Sequence, residues 1–126
     1  MTSPIPSKIK LHKASRTLDL HYPDGRHFNL PAEFLRVHSP SAEVQGHGRP
    51  ILQTGKQNVA LVAVEMAGNY ALKLVFDDGH DSGLYSWDYL LELGERQDAL
   101  WQAYLDQLQA AGASRDPDVS VVKVML

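Results

Sequence analysis

The chain has 126 residues, 44% of them hydrophobic and 21% charged, enough for one globular domain whose core needs no disulfide or metal support. Its formal net charge of −3 excludes a nucleic-acid binder driven by phosphate neutralisation. With no cysteine, it has no disulfide, thiolate nucleophile, iron–sulfur ligand or cysteine-based zinc site of its own.

Residues 1–7 carry two prolines, lack the apolar core of a signal peptide and read as a flexible arm. No run is long enough to span a membrane, so a cytoplasmic protein is expected. Residues 8–13 and 17–22 alternate, with Ile9, Leu11, Leu18, Leu20 and Tyr22 facing inward and Lys10, His12, Asp19 and His21 outward. Ala14-Ser15-Arg16 joins them as a hairpin. Pro23-Asp24-Gly25 then turns the chain into a short third strand through Phe28 and Leu30. Pro31 suits the first position of a helix over 32–37, where Phe34, Leu35 and Val37 are apolar.

Residues 38–57 hold three glycines, two prolines and two histidines, with little apolar content beyond Val44, Ile51 and Leu52. A loop of this length in a small domain is usually functional or mobile. Residues 58–66 are apolar on both faces, the pattern of a central strand covered on two sides. Ala67-Gly68-Asn69 turns the chain, and residues 70–76 return with Tyr70, Leu72, Leu74 and Phe76 on one face.

Residues 76–90 are the most informative stretch. Asp77-Asp78-Gly79 reads as a hairpin turn with Gly79 at positive φ. Gly83 marks a bulge or a close backbone approach. Ser86 stands at a helix N-cap, with Asp88 in the first turn. Trp87, Tyr89, Leu90, Leu91 and Leu93 give that helix its apolar cover, and Gly94 is placed to stop it. By its neighbours alone, His80 reads as an exposed turn residue.

A long helix is predicted over 95–111, its stripe of Trp101, Tyr104, Leu105 and Leu108 docking on the sheet and Gly112 ending it. Arg115-Asp116-Pro117-Asp118 reads as a linker, and residues 119–126 as either an edge strand or a poorly ordered tail. The two halves repeat a pattern of strand, strand, Asp-Gly turn, short strand and helix. The expected fold is α+β: a small single domain of mostly antiparallel strands in two β-β-β-α units plus a long C-terminal helix. The domain is expected over residues 8–112, with 113–126 as a C-terminal tail.

The usual chemical motifs fail. Gly46-His47-Gly48 lacks the third glycine of a dinucleotide fingerprint, and Gly55-Lys56 is followed by Gln57 before a strand, unlike a phosphate-binding loop. There is no Gly-x-Ser-x-Gly elbow. No histidine has the His-x-Asp or His-x-Glu neighbour common in non-haem iron sites. Asp77, Asp78 and Asp81 around His80 lack the ligand spacing of a calcium loop.

Several segments together resemble one family: residues 18–25, Leu30-Pro31-Ala32-Glu33-Phe34-Leu35-Arg36, residues 39–44, Gln53-Thr54-Gly55-Lys56 and residues 76–90. The chain resembles the γ-butyrobetaine hydroxylase-like N-terminal domain, also called DUF971, from roughly residue 8 to 94. The resemblance implies a domain that precedes the iron and 2-oxoglutarate catalytic domain and holds no iron itself. This chain ends where that catalytic domain would begin, so no hydroxylase activity, no enzymatic role and no cofactor are expected. In the hydroxylases the domain holds a structural zinc through three cysteines and a histidine. Those positions fall here on Ser39, Ser41, Val44 and His80, a degenerate set from which no tightly bound zinc is expected. Similar domains occur alone and fused to ATPases that carry iron–sulfur clusters, which implies a partner-binding module.

Two readings follow. One is a non-catalytic, monomeric adaptor domain that binds another protein, with an iron–sulfur carrier ATPase or an oxygenase as the candidate partner. Its binding residues would be His38, His47, Arg49, Lys56, Asp77, Asp78, His80 and Asp81, on the 38–57 loop and the 77–82 turn. The other is a metal- or small-molecule-binding accessory protein that uses His80 and the same loop.

Overall fold

The computed structural model describes residues 4–46 and 50–119. Its elements run β1 (Lys8–His12), β2 (Thr17–His21), β3 (His27–Pro31), α1 (Ala32–Val37), α2 (Ala42–Gln45), β4 (Leu61–Ala67), β5 (Ala71–Phe76), β6 (Leu84–Ser86), α3 (Trp87–Glu95) and α4 (Gln97–Ala111). The strands form two antiparallel three-stranded sheets, ordered β1-β2-β3 and β4-β5-β6. The fold is α+β, as expected.

The pattern repeat is a structural repeat. Leu18 and Leu20 on β2 correspond to Leu72 and Leu74 on β5, and all four are buried. Both Asp-Gly turns have the same hydrogen bonds. Gly25 N donates to Tyr22 O (3.1 Å) and Tyr22 N to Arg26 O (2.9 Å); Gly79 N donates to Phe76 O (3.3 Å) and Phe76 N to His80 O (3.0 Å). Each glycine has positive φ, 94° and 88°, where a Cβ would be strained. In each turn the aspartate carboxylate accepts the amide two residues on, Arg26 N or His80 N, at 3.1 Å. The two units share one core, with Leu18, Leu30 and Phe34 packed in the same cluster as Leu72, Tyr85 and Leu90.

Ser86 caps α3 as expected, its hydroxyl accepting Tyr89 N at 3.2 Å. Pro31 is the last residue of β3 and the N-cap of α1, one position earlier than predicted. Four expectations are corrected. First, β4 lies at the edge of its sheet, with Val62 and Met66 exposed. A register shift between Leu61 and Ala63 breaks its alternation, so an apolar run does not mean two covered faces here. Second, Gly94 does not stop α3, which continues to Glu95 and breaks at Arg96. Glycine is needed at 94 because a Cβ there would overlap the Phe28 ring. Third, Tyr104 and Leu108 of α4 bury themselves against Val37 and Leu52, that is, against α1 and the following loop instead of the sheet. Fourth, the linker read over 115–118 is not free at its start, where Arg115 and the preceding Ser114 are tied down. Gly55 N donates to Ser114 O (2.9 Å) and Gln57 N to Arg115 O (3.0 Å). The Arg115 guanidinium grips both oxygens of the largely buried Glu33 carboxylate at 2.7 Å and lies over Trp101.

Tyr70, grouped by the alternation on one face with Leu72, Leu74 and Phe76, is exposed in the turn before β5, while those three are buried. Apart from Val119, the proposed tail strand lies outside the described residues, as do residues 1–3 of the arm. Among the described residues no helix is long and apolar enough to cross a membrane.

Candidate functional site

The second Asp-Gly turn sets the site. By accepting His80 N, the Asp78 carboxylate fixes the backbone just after Gly79 and folds the His80 ring under the loop that follows α1. His80 is 5% exposed, so the reading of it as an exposed turn residue is corrected. Its Nε2 lies 2.8 Å from Ser39 Oγ and 3.3 Å from Ser41 Oγ, and the Ser41 amide donates to Ser39 Oγ at 3.3 Å. Both serines are buried, Ser39 completely. Val44 is buried on α2 close by in sequence. Gly83 closes the site from the opposite side, and a Cβ there would stand 2.5 Å from Ser39 Oγ. The close backbone approach expected at Gly83 is therefore present.

A charged bracket lies beside this polar knot. Arg36 Nε donates to Asp78 Oδ2 at 2.8 Å and Lys56 Nζ to the same oxygen at 2.9 Å. The Arg36 side chain is only 9% exposed, and its Nη1 also donates to Gln53 Oε1 at 3.1 Å. Burial alone would raise the Asp78 pKa. The Lys56 ammonium, the His80 amide and the Arg36 guanidinium outweigh it and hold the carboxyl at about 2. Arg36 and Gln53 were not singled out in the sequence. The signal available was a basic residue in the last turn of a short helix whose other residues, Glu33 apart, are apolar.

The loop is better anchored than its composition suggested. Besides Ser39 and Ser41, Tyr104 donates its hydroxyl to Gln53 O at 2.7 Å and Tyr89 to His38 O at 2.5 Å. The Tyr85 hydroxyl donates to Leu35 O. Ile51 N donates to Val44 O at 2.7 Å. His38 is half-buried, its Nδ1 2.8 Å from Phe34 O, and burial lowers its pKa. Asp77 Oδ1 accepts Ala60 N at 3.1 Å, while Asp81 is exposed and 3.9 Å from Lys73 Nζ. Of the eight candidate binding residues, then, Lys56, Asp78 and His80 take part in the internal bracket. Asp77 and Asp81 stay on the surface of the turn. His47 and Arg49 lie outside the described residues. Between the loop and α4 runs a cleft of about 640 Å³, lined by Val37, Val44, Ile51, Leu52, Tyr104 and Ala111 among others. Ile51 stands at its lip, 55% exposed.

The donor set does not fit a structural zinc. Two neutral hydroxyls and an isopropyl group occupy the positions that would need thiolates. The Ser39–His80 distance matches a nucleophile and its base. The Ser39 side chain is nonetheless sealed off, at 0% exposure, behind Gly83 and Tyr85.

The gamma-butyrobetaine hydroxylase-like, N-terminal family matches residues 9–91, the span that contains nearly all of both units and the Ser39, Ser41 and His80 cluster. The chain belongs to this family. A protein solved in solution by NMR is similar over 99% of this chain and 100% of its own, at 68% identity and a TM-score of 0.85. A second NMR structure shares 50% identity over 100% of this chain and 99% of its own, with a TM-score of 0.79. A DUF971-family crystal structure of unknown function from Acidithiobacillus ferrooxidans shares 36% identity over 71% of this chain and 91% of that one, with a TM-score of 0.61. No curated protein matches. In this family member, the histidine of the second turn meets serines where the resemblance had implied cysteines.

Proposed function

We propose that the chain is a non-catalytic protein-recognition module whose binding face is the 38–57 loop with its cleft, flanked by the 77–82 turn. One observation carries this reading: the loop is anchored at Ser39, Ser41, Gln53, Gly55 and Gln57, yet it exposes Ile51 at the lip of a cleft. Ordering a loop in advance lowers the entropy lost on binding, and an exposed apolar side chain on an ordered rim is the kind of anchor that protein partners bury. Asp77 and Asp81 stay exposed on the turn beside the Arg36, Lys56 and Asp78 cluster, so the face is polar and of mixed charge, which suits transient association. The sealed Ser39 speaks against nucleophilic catalysis, since no substrate carbonyl reaches its oxygen in this arrangement. The partner class favoured by the family resemblance is an iron–sulfur carrier ATPase.

The test is cross-linking and co-purification from native extract with wild type, Ile51→Asp and Asp81→Lys. The expected result is one partner held by wild type and lost with Ile51→Asp, while the variant keeps its fold by circular dichroism. A partner retained equally by both variants would remove the proposed face.

A further inference from the structure

The outward face of the first sheet, remote in sequence from the His80 site, gathers a second set of donors. Asp19 and His21 are two apart on β2, which places both on one face. His27 stands directly opposite His21 in the β2–β3 register, and Asn29 opposite Asp19. The imidazoles of His21 and His27 stack with centroids 4.1 Å apart. One ligand atom each from Asp19, His21 and His27 lie within 4.8 Å of one another. His12 adds a fourth donor from β1, its Nε2 2.6 Å from Asp19 Oδ2. Asn29 Nδ2 donates to Asp19 Oδ1, which steadies the carboxylate, and the Asp19 side chain is only 13% exposed.

The geometry points to an exchangeable surface site for a borderline divalent transition-metal ion, formed by Asp19, His21 and His27 with His12 alongside. Two imidazoles and a carboxylate suit Zn²⁺ or Cu²⁺, whereas Ca²⁺ and Mg²⁺ require oxygen-rich sets. The strand register fixes the Cα positions, and the half-exposed His27 and His12 rings have room to turn their nitrogens toward a shared ion. Asn29 supplies the outer hydrogen bond that orients a ligating carboxylate. Lys8 and Lys10 sit on β1 on the same face, Lys10 paired with Asp19 and Lys8 with His21. Their charges oppose a cation and keep the site exchangeable. This site is distinct from the Ser39, Ser41 and His80 set and shares no residue with the proposed protein-binding face.

The experiment is a Zn²⁺ titration of untagged protein followed by backbone and imidazole NMR, with Mg²⁺ as a parallel arm. The expected result is saturation at one equivalent, with shifts centred on His12, Asp19, His21 and His27 and none with Mg²⁺. His21→Ala and His27→Ala should each weaken binding by about ten-fold or more. The outward, partly exposed position of both rings leaves the fold intact, and the unchanged remainder of the spectrum verifies it. No saturable shift with Zn²⁺, shifts centred on His80, or equal affinity in the double variant would overturn the site.

Discussion

Gly83 and Ser39 touch: the backbone of one lies so close to the hydroxyl of the other that a methyl group at 83 would stand 2.5 Å from Ser39 Oγ. This contact fixes the spacing between the loop after α1 and the strand that leads into α3. Gly83→Ala should destabilise the protein by about 2 kcal/mol, in the range of overpacked sites. Adding Ser39→Gly should recover part of that loss, because it removes the obstructing oxygen. Denaturant unfolding of the two single variants and the double one measures the coupling, and strict additivity would contradict the contact.

The Arg36–Asp78 pair should contribute more than a surface ion pair, because Arg36 is buried. Arg36→Ala should cost about 3 kcal/mol by removing a buried side chain and leaving a partly buried carboxylate short of one of its two cationic partners. Lys56→Ala should cost about 1 kcal/mol or less. The Asp78 carboxyl is held at about 2, below its ordinary 3.8. Its stabilising contribution is therefore complete above the ordinary value and is lost as the pH falls toward 2. Acid unfolding of Asp78→Asn should start from lower stability at neutral pH and be flatter across that window than wild type.

Burial raises the Tyr89 and Tyr104 phenols to about 12, and pushes Tyr22 and Tyr85 up as well. A raised pKa means that the folded state holds the proton longer. The stabilising contribution is thus complete below the ordinary value of 10 and declines as the pH rises through 12. Phenolate absorbance should show these tyrosines ionising late, together with alkaline unfolding. Tyr104→Phe should remove one late group and cost about 1 kcal/mol for the lost bond to Gln53 O.

The elements legible in the sequence were those set by local chemistry. Gly25 and Gly79 announced their turns, and Ser86 its cap, because the physical requirement and the residue sit at the same position. The α+β class followed from the alternation and the two punctuated units. The burial of His80 was not legible from its acidic neighbours, since it depends on Ser39 and Ser41, which arrive from far along the chain. The family resemblance did put Ser39, Ser41 and His80 together. Gly94 misled for the same reason: its glycine answers to the Phe28 ring and not to a helix end. The β4 strand misled because composition shows neither its place at the edge of the sheet nor the register shift after Leu61.

If Ser39, Ser41 and Val44 occupy the positions of a zinc scaffold around His80, the scaffold can be refilled. The combined change Ser39→Cys, Ser41→Cys and Val44→Cys should yield a protein that retains about one zinc per chain by elemental analysis, with the tetrahedral set of a structural site. Reverting Val44 alone should weaken retention. A triple variant that folds and holds no zinc would show that the four positions do not converge.

The binding reading requires a loop ordered before any partner arrives, and native-state amide exchange measures that directly. Amides across 39–57 that are bonded in the fold, including Ser41, Val44, Ile51, Gly55 and Gln57, should be protected in the free wild-type protein. In His80→Ala the protection of Ser41 and Val44 should fall well below that of the β2 and β5 core amides, which should shift only with global stability. Exchange of the loop amides at the rate of an open chain in wild type, or loop protection that stays level with the core in His80→Ala, would contradict the anchored loop.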